Sequence, residues 1–234
     1  MDLYVGTSGY SYKEWKGSFY PKDLPAKQML RYYGERFGAV EINNSFYRMP
    51  AASALEAWAR DVPPGFKFVL KAPQRITHIR RLKEVGDLVS QFVDVVATLG
   101  GRLGPLLFQL PPNMKKDMER LRGFLELVPT EQPVALEFRH PSWFDDDVFS
   151  LLRARNAALC IADAEGDVEA PFVSSADWGY MRLRRPEYDD ADFEAWMTRA
   201  QAQGWRRAFV FFKHEDEGTG PRFANRFLSV AGRL

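Results

Sequence analysis

Two acidic residues stand where short apolar runs end: Glu41 in "AVEINNSFYRMP" (39–50) and Glu137 in "ALEFRHPSWF" (135–144). A pair of this kind could serve as acid and base, or as acid and nucleophile, in glycoside hydrolysis. Lys71 and Lys213 close two further apolar runs, "FKFVLK" (66–71) and "AFVFFK" (208–213). A lysine so placed could form a Schiff base or hold an anion. Three histidines, His78, His140 and His214, follow or neighbour such runs. With the acids they could ligate a divalent metal, but neither an i, i+4 pair nor a facial-triad spacing is present. The expectation is therefore no cofactor, with a divalent metal as the lesser reading.

Side chains so scattered can act together only if the fold brings strand ends to one place. The strand candidates are "LYVG" (3–6), "AVEIN" (39–43), "FKFVLK" (66–71), "LLFQL" (106–110), "VALEF" (134–138), "LCIAD" (159–163), "GYMRL" (179–183) and "AFVFFK" (208–213). Most are apolar up to a polar last residue, the pattern of parallel strands covered on both faces. Amphipathic stretches alternate with them at 26–37, 53–62, 87–100, 117–128, 146–156, 189–204 and 222–230. Asp87, Asp146 and Asp190 are placed to cap helices, and Gly100 and Gly204 to end them. The alternation predicts an α/β fold, a single compact (β/α)8 barrel of TIM type over 1–234, with a degenerate or missing helix after the sixth strand.

In such a barrel, ligands are met at the C-terminal strand ends. Counting every second residue as inward gathers Glu41, Asn43, Lys71, Gln109, Glu137, Arg139, Asp163, Arg182 and Lys213 at that rim, with Thr7 or Ser8 from the first strand. The count turns His140 away from Glu137. The same charges could instead neutralise one another as a buried ion network, at a desolvation cost. For any one residue the two readings weigh equally, whereas the rim as a whole favours a ligand site.

Other features narrow the class. A chain of 234 residues, 46% hydrophobic, can bury a full core, and its formal charge of +1 gives no global field toward nucleic acid or membrane. Its one cysteine, Cys160, excludes a disulfide framework. Neither a leader pattern nor a membrane-span-length apolar run is found, so a soluble, cytoplasmic protein is expected. "GTSGYSYKEW" (6–15) is glycine-rich but matches neither the dinucleotide nor the Walker pattern. Its aromatics, with Phe19 and Tyr20, read as a packed lid rather than a stacking surface. "PQRITHIRRLK" (73–83) and "RLRR" (182–185) are basic clusters, read as solvated charge unless both flank the mouth.

The blocks "GTSGYSYKEWKGSFYP", "VEINNSFYRMP", "KAPQRITH", "QLPPNM" and "EFRHPSWF" resemble, in this order, those of the YecE-like family, domain of unknown function 72. The resemblance spans nearly the whole chain and implies a TIM-type barrel whose chemistry is unassigned. Carried over block by block, it implies site positions Thr7, Ser8, Glu41, Asn43, Tyr47, Lys71, His78, Gln109, Glu137, Arg139 and His140, with Asp163 after the sixth strand. The strand-seven end departs from the family's Arg-Leu-His-Gly, reading Arg182, Leu183, Arg184 and Arg185. Strand eight is also atypical, ending in Lys213, His214, Glu215 and Asp216 rather than an Asn-rich segment. Taken together, the departures are read as marking a subfamily with a more cationic rim, the added charge coming from Arg184 and Arg185.

The resulting expectation is an enzyme of hydrolase or lyase type acting on a polar, anionic or sugar-containing small molecule. Glu41 and Glu137 would carry protons; Lys71, Arg139 and Lys213 would hold negative charge; Gln109 and Asn43 would orient the substrate. Nucleic-acid binding or phosphodiester processing, and non-catalytic ligand binding, remain open beside it.

Overall fold

The computed structural model describes residues 1–232 except 165 and 167. Eight parallel strands form a nearly closed barrel in the order β1-β8-β7-β6-β5-β4-β3-β2. They are β1 (Asp2–Thr7), β2 (Ala39–Ile42), β3 (Lys67–Lys71), β4 (Leu103–Gln109), β5 (Val134–Glu137), β6 (Ala158–Asp163), β7 (Trp178–Leu183) and β8 (Arg207–Phe212). The seam between β1 and β2 is held by a bridge between Ser8 and Glu41 and by the Gly9 amide donating to the Glu41 carbonyl at 2.8 Å.

The helices lie outside: α1 (Met29–Gly34), α2 (Ala52–Asp61), α3 (Gly86–Val96), α4 (Met118–Leu127), α5 (Asp146–Arg155), α6 (Asp190–Gln201) and α7 (Thr219–Ala231). No helix of the described residues is long and apolar enough to cross a membrane. Two caps fall one residue earlier than the sequence suggests. Asp145, not Asp146, accepts from the amide of Asp147, and Asp189, not Asp190, forms a capping box with Asp192. Asp87 lies inside the first turn of α3, which begins at Gly86. Gly100 lies in a 3-10 turn (97–102) beyond α3 rather than at its end.

Between β6 and β7 no helix forms among the described residues; 165 and 167 of this segment lie outside them. Its apolar cover comes from single side chains. Phe172 packs on Trp196 of α6 and on Trp205, at ring separations of 5.6 and 5.8 Å. Ser175 ties the segment to the barrel floor, accepting from the Leu159 amide at 2.7 Å and donating to the Ala157 carbonyl at 2.9 Å.

Alternation along the strands sorts the core into two parts. Val5, Val40, Leu70, Phe108, Leu136, Ile161, Met181 and Phe212 face outward into the helix layer. Ala39, Val69, Leu107, Ala135, Cys160, Tyr180, Phe209 and Phe211 fill the barrel interior. The aromatic N-terminal loop belongs to the outer part. Trp15 and Tyr20 are wholly buried there, and Phe19 meets Phe37 and Tyr33.

At Gly6 a Cβ would stand 1.9 Å from the Ala39 carbonyl oxygen and 2.7 Å from the Tyr33 hydroxyl. The first obstacle is backbone, so side-chain repacking gives no relief. Gly6→Ala is expected to cost about 3 kcal/mol or more, the upper end for overpacking. That lowers the melting temperature by at least about 6 °C at this chain length. A thermal melt within a degree of wild type would show that the β1–β2 seam is not closed as described.

Candidate functional site

One guanidinium occupies the top of the barrel interior. Arg182 follows the inward residues Trp178 and Tyr180 on β7 and is only 2% exposed. Its Nη1 donates to Glu137 Oε2 at 2.6 Å and its Nη2 to Glu41 Oε1 at 2.8 Å. Both carboxylates lie fully inside, with 0% and 1% exposure for Glu41 and Glu137. A buried charge persists only when it is paired and hydrogen-bonded, and here partners come from the ends of β1, β2, β4, β5 and β7.

Glu41 Oε1 also accepts from Ser8 Oγ at 2.6 Å and from Asn43 Nδ2 at 3.0 Å, while Oε2 accepts from the Tyr180 hydroxyl at 2.6 Å. Glu137 Oε1 accepts from Gln109 Nε2 at 2.7 Å. Arg139 Nε and Arg184 Nη2 approach the same oxygen at 3.3 and 3.7 Å. Burial pushes both carboxyls up, but Arg182 and the hydrogen bonds outweigh it. Glu41 is held below the usual carboxylate range, and Glu137, with Arg184 and Arg139 adding to Arg182, is held down at about 2.

Lys71 stands beside this network. Its Nζ donates to Gln109 Oε1 at 2.7 Å and lies 4.1 Å from the centre of the Phe46 ring. Burial, then the nearby Arg182 charge, lower its ammonium to about 8, against the pull of Glu137 and Glu41. Gln109 thus spans Lys71 and Glu137 with its two amide ends. The Phe46 ring is fixed by the turn over Asn44–Phe46, where Ser45 Oγ donates to the Lys71 carbonyl at 2.6 Å. His78 packs edge-on to that same ring at 4.8 Å, and burial followed by Lys71 lowers its imidazolium.

The structure therefore brings together Ser8, Glu41, Asn43, Lys71, Gln109, Glu137, Arg139 and Arg182, and changes several expected roles. Thr7 faces the helix layer, where its amide takes the Tyr33 hydroxyl as acceptor at 2.7 Å. Asp163 also faces outward, because Cys160 sets the inward parity of β6 and places Ala162 beside Arg182. It accepts from Arg185 Nε and the Tyr188 hydroxyl, both at 2.9 Å. Arg182 bridges two protein carboxylates, Glu41 and Glu137. "RLRR" is not solvated: Arg182 and Leu183 are buried and Arg185 is paired with Asp163 and Asp192. Of the remaining positions, His140 caps the turn Pro141–Trp143 through the Ser142 amide, Tyr47 is 74% exposed, and Lys213 is exposed but close enough to lower Lys71.

Sequence reasoning missed Tyr180, named Arg184 only as a departure from the family pattern, and missed Phe46. Extending the inward count of β7 by two residues in each direction from Arg182 reaches the first two. Phe46 carries no such signal, because its ring reaches Lys71 through a turn outside any strand. Among the described residues, no group of three or more His, Cys, Asp or Glu could hold a metal ion.

A family model described as "Protein of unknown function DUF72" matches residues 4–233. The chain belongs to that family. It is 25% identical over 229 residues to the UPF0759 protein YunF of Bacillus subtilis, covering 92% of this chain and 79% of YunF. It is 28% identical over 143 residues to YecE of Escherichia coli, a match spanning 61% of this chain and half of YecE's length (50%). Among solved structures, a DUF72 family protein of Thermotoga maritima superposes with a TM-score of 0.85 at 25% identity, covering 99% of this chain and 100% of that one. One from Enterococcus faecalis, at 16% identity and a TM-score of 0.82 over 98% and 95% of the two chains, shares the fold.

Removing the central cation should reverse the acid response. Arg182→Met leaves two buried carboxylates without their shared partner, at a cost of about 3–5 kcal/mol at pH 7. In the native chain Glu137 contributes stability above the ordinary carboxyl pKa that is lost as pH falls toward 2. In the variant burial acts on Glu41 without Arg182 and on Glu137 with only Arg184 and Arg139 left, so the carboxyls titrate higher and the cost of ionising them grows as pH rises. Urea unfolding at pH 7 and pH 4.5 should therefore show the deficit shrinking on acidification; a deficit that is constant or grows would exclude the clamp.

Proposed function

We propose that this DUF72-family barrel is a lyase-type enzyme that binds a small anionic carbonyl compound at its C-terminal mouth and activates it through the Lys71 amine. The observation that carries this reading is the Lys71 setting: an amine packed over an aromatic ring, desolvated and beside other cations, with its proton held by a neutral amide. Lysines activated for imine chemistry have such surroundings. At pH 7 an amine with a pKa of about 8 is neutral in about one molecule in ten, against fewer than one in a thousand for an ordinary lysine.

The remaining side chains support that role without themselves reacting. Glu41 and Glu137 are saturated with donors and strongly ionised, so neither is suited to deliver or accept a proton. They instead supply the negative floor that keeps Arg182 in place next to Lys71. Gln109 positions the amine. Lys213, exposed at the end of β8, adds positive charge toward an incoming anion. His78, neutral near pH 7 and sharing the Phe46 ring with Lys71, is the group that would carry protons.

In the imine-forming step, the Nζ lone pair adds to the carbonyl carbon. The carbonyl oxygen takes up two protons and leaves as water, and a C=N bond remains. Glyoxylate, the smallest aldehyde carrying a carboxylate, is a suitable probe together with cyanoborohydride, which reduces the imine to a stable amine. Peptide mass spectrometry should find Lys71 labelled at least about tenfold faster than exposed lysines at pH 7, with a half-point near pH 8. Labelling no faster than at exposed lysines, or without an inflection below pH 9, would overturn the assignment.

A further inference from the structure

A cleft of about 510 Å³ opens between the loops that follow β1 and β2. The volume is in the range of small-molecule sites. Its walls are largely aromatic and soft: Tyr10, Tyr12, Met49 and Trp58 line it. The Tyr12 hydroxyl donates to the Ser8 carbonyl at 2.8 Å, which turns that ring into a fixed wall. Trp58 is stacked on Phe68 at 5.9 Å and is held equally firmly from behind.

The polar lining is one-sided. None of the lining residues is acidic, and the single cation among them is Arg48. Its exposed guanidinium has no ion pair or side-chain hydrogen bond among the described residues. Asn43, whose Nδ2 donates to Glu41, and Ser45, whose Oγ donates to the Lys71 carbonyl, also line the cleft and join it to the barrel mouth.

We infer that this cleft is a binding site for a planar aromatic carboxylate, its ring between Tyr10, Met49 and Trp58 and its carboxylate on Arg48. An organic cation would find no counter-charge there. A hydroxyl-rich sugar would need strong acceptors for its donors, and with no lining carboxylate the cleft offers only amide, hydroxyl and carbonyl oxygens. An aromatic ring matches the walls by area and by stacking, and a planar guanidinium matches a carboxylate by its paired donors. That the ring-bearing group belongs to a substrate reacting at Lys71 rests on the function proposed above; binding in the cleft does not depend on it.

The test uses 2-naphthoate as probe, followed by titration calorimetry and by its own fluorescence, with 2-naphthamide as the uncharged control. Saturable one-to-one binding of 2-naphthoate in the range of about 0.1–1 mM is expected, with 2-naphthamide at least about tenfold weaker, the factor that 1.4 kcal/mol represents. Arg48→Met, at an exposed position, should remove the preference for the charged probe. Ala54→Leu, which narrows the cleft from α2, should weaken both compounds. Glyoxylate labelling of Lys71 and 2-naphthoate occupancy of the cleft are read separately on the native chain, so either can fail without the other. No saturation by about 10 mM, equal affinity for the two compounds, or an Arg48→Met variant that still prefers the acid would each overturn the inference.

Discussion

The contact on which this barrel depends is the double ion pair of Arg182 with Glu41 and Glu137. Placing three charges where water does not reach is costly unless each is satisfied, and that requirement propagates through the fold. Glu41 draws Ser8 from just past β1 and Tyr180 from β7, while Glu137 draws Gln109 from β4. Strands far apart in sequence are thereby cross-linked at one level of the barrel. The interior below is ordinary apolar filling, ending in Tyr180 and Phe211, whose rings lie 5.5 Å apart. The upper surface of this layer is the floor of the mouth.

That floor decides which residues are left for chemistry. A carboxylate that accepts from several donors and has no exposed surface is a fixed charge, not a proton carrier. With Glu41 and Glu137 committed to Arg182, the function proposed above rests on the group at the edge of the layer. Lys71 is close enough to feel Arg182 and shielded enough to lose solvation, and it is linked to Glu137 only through the Gln109 amide. A direct Lys71–Glu137 pair would raise the ammonium pKa. The intervening amide keeps the amine oriented without giving it a full counter-charge. On the proposed function, two jobs that the sequence assigns to one set of residues fall to different ones: holding the barrel together and meeting a ligand.

The alternation of polar strand ends was enough to place Glu41, Lys71, Gln109, Glu137, Arg139 and Arg182 at one level, because side-chain direction in a strand is fixed by a period of two. The same rule misplaces Asp163, since the inward series on β6 runs through Ala158 and Cys160 to Ala162. Nothing in "LCIAD" distinguishes the two phases, as apolar residues fill both faces of a covered parallel strand. Thr7 and Ser8 posed the same ambiguity, resolved by Tyr33 on one side and Glu41 on the other. The caps of α5 and α6 shift by one residue because each is preceded by consecutive aspartates, any of which could accept from the first turn. Roles were less legible than places. That Arg182 faces inward follows from periodicity; that it is shared between two acids depends on distances across the barrel, which sequence spacing does not encode.

The loops above the floor obey a different constraint. The turn over Asn44–Phe46 has to satisfy a strand carbonyl through Ser45 and at the same time present Phe46 under the Lys71 ammonium. The residues that follow it, Arg48 and Met49, are then carried outward to line the neighbouring cleft. A single short turn therefore sets the solvation of the amine, the position of His78 against Phe46, and the charge at the cleft. Loops after barrel strands are where ligand selectivity can vary without disturbing the sheet. Here that freedom is limited, because the turn is tied at its centre to β3 and at its start, through Asn43, to Glu41. Change at Arg48 or Met49 can alter what enters the cleft, whereas change at Ser45 or Asn43 disturbs the floor itself. The boundary between adaptable and fixed residues thus runs through this turn rather than along the usual border between strand and loop.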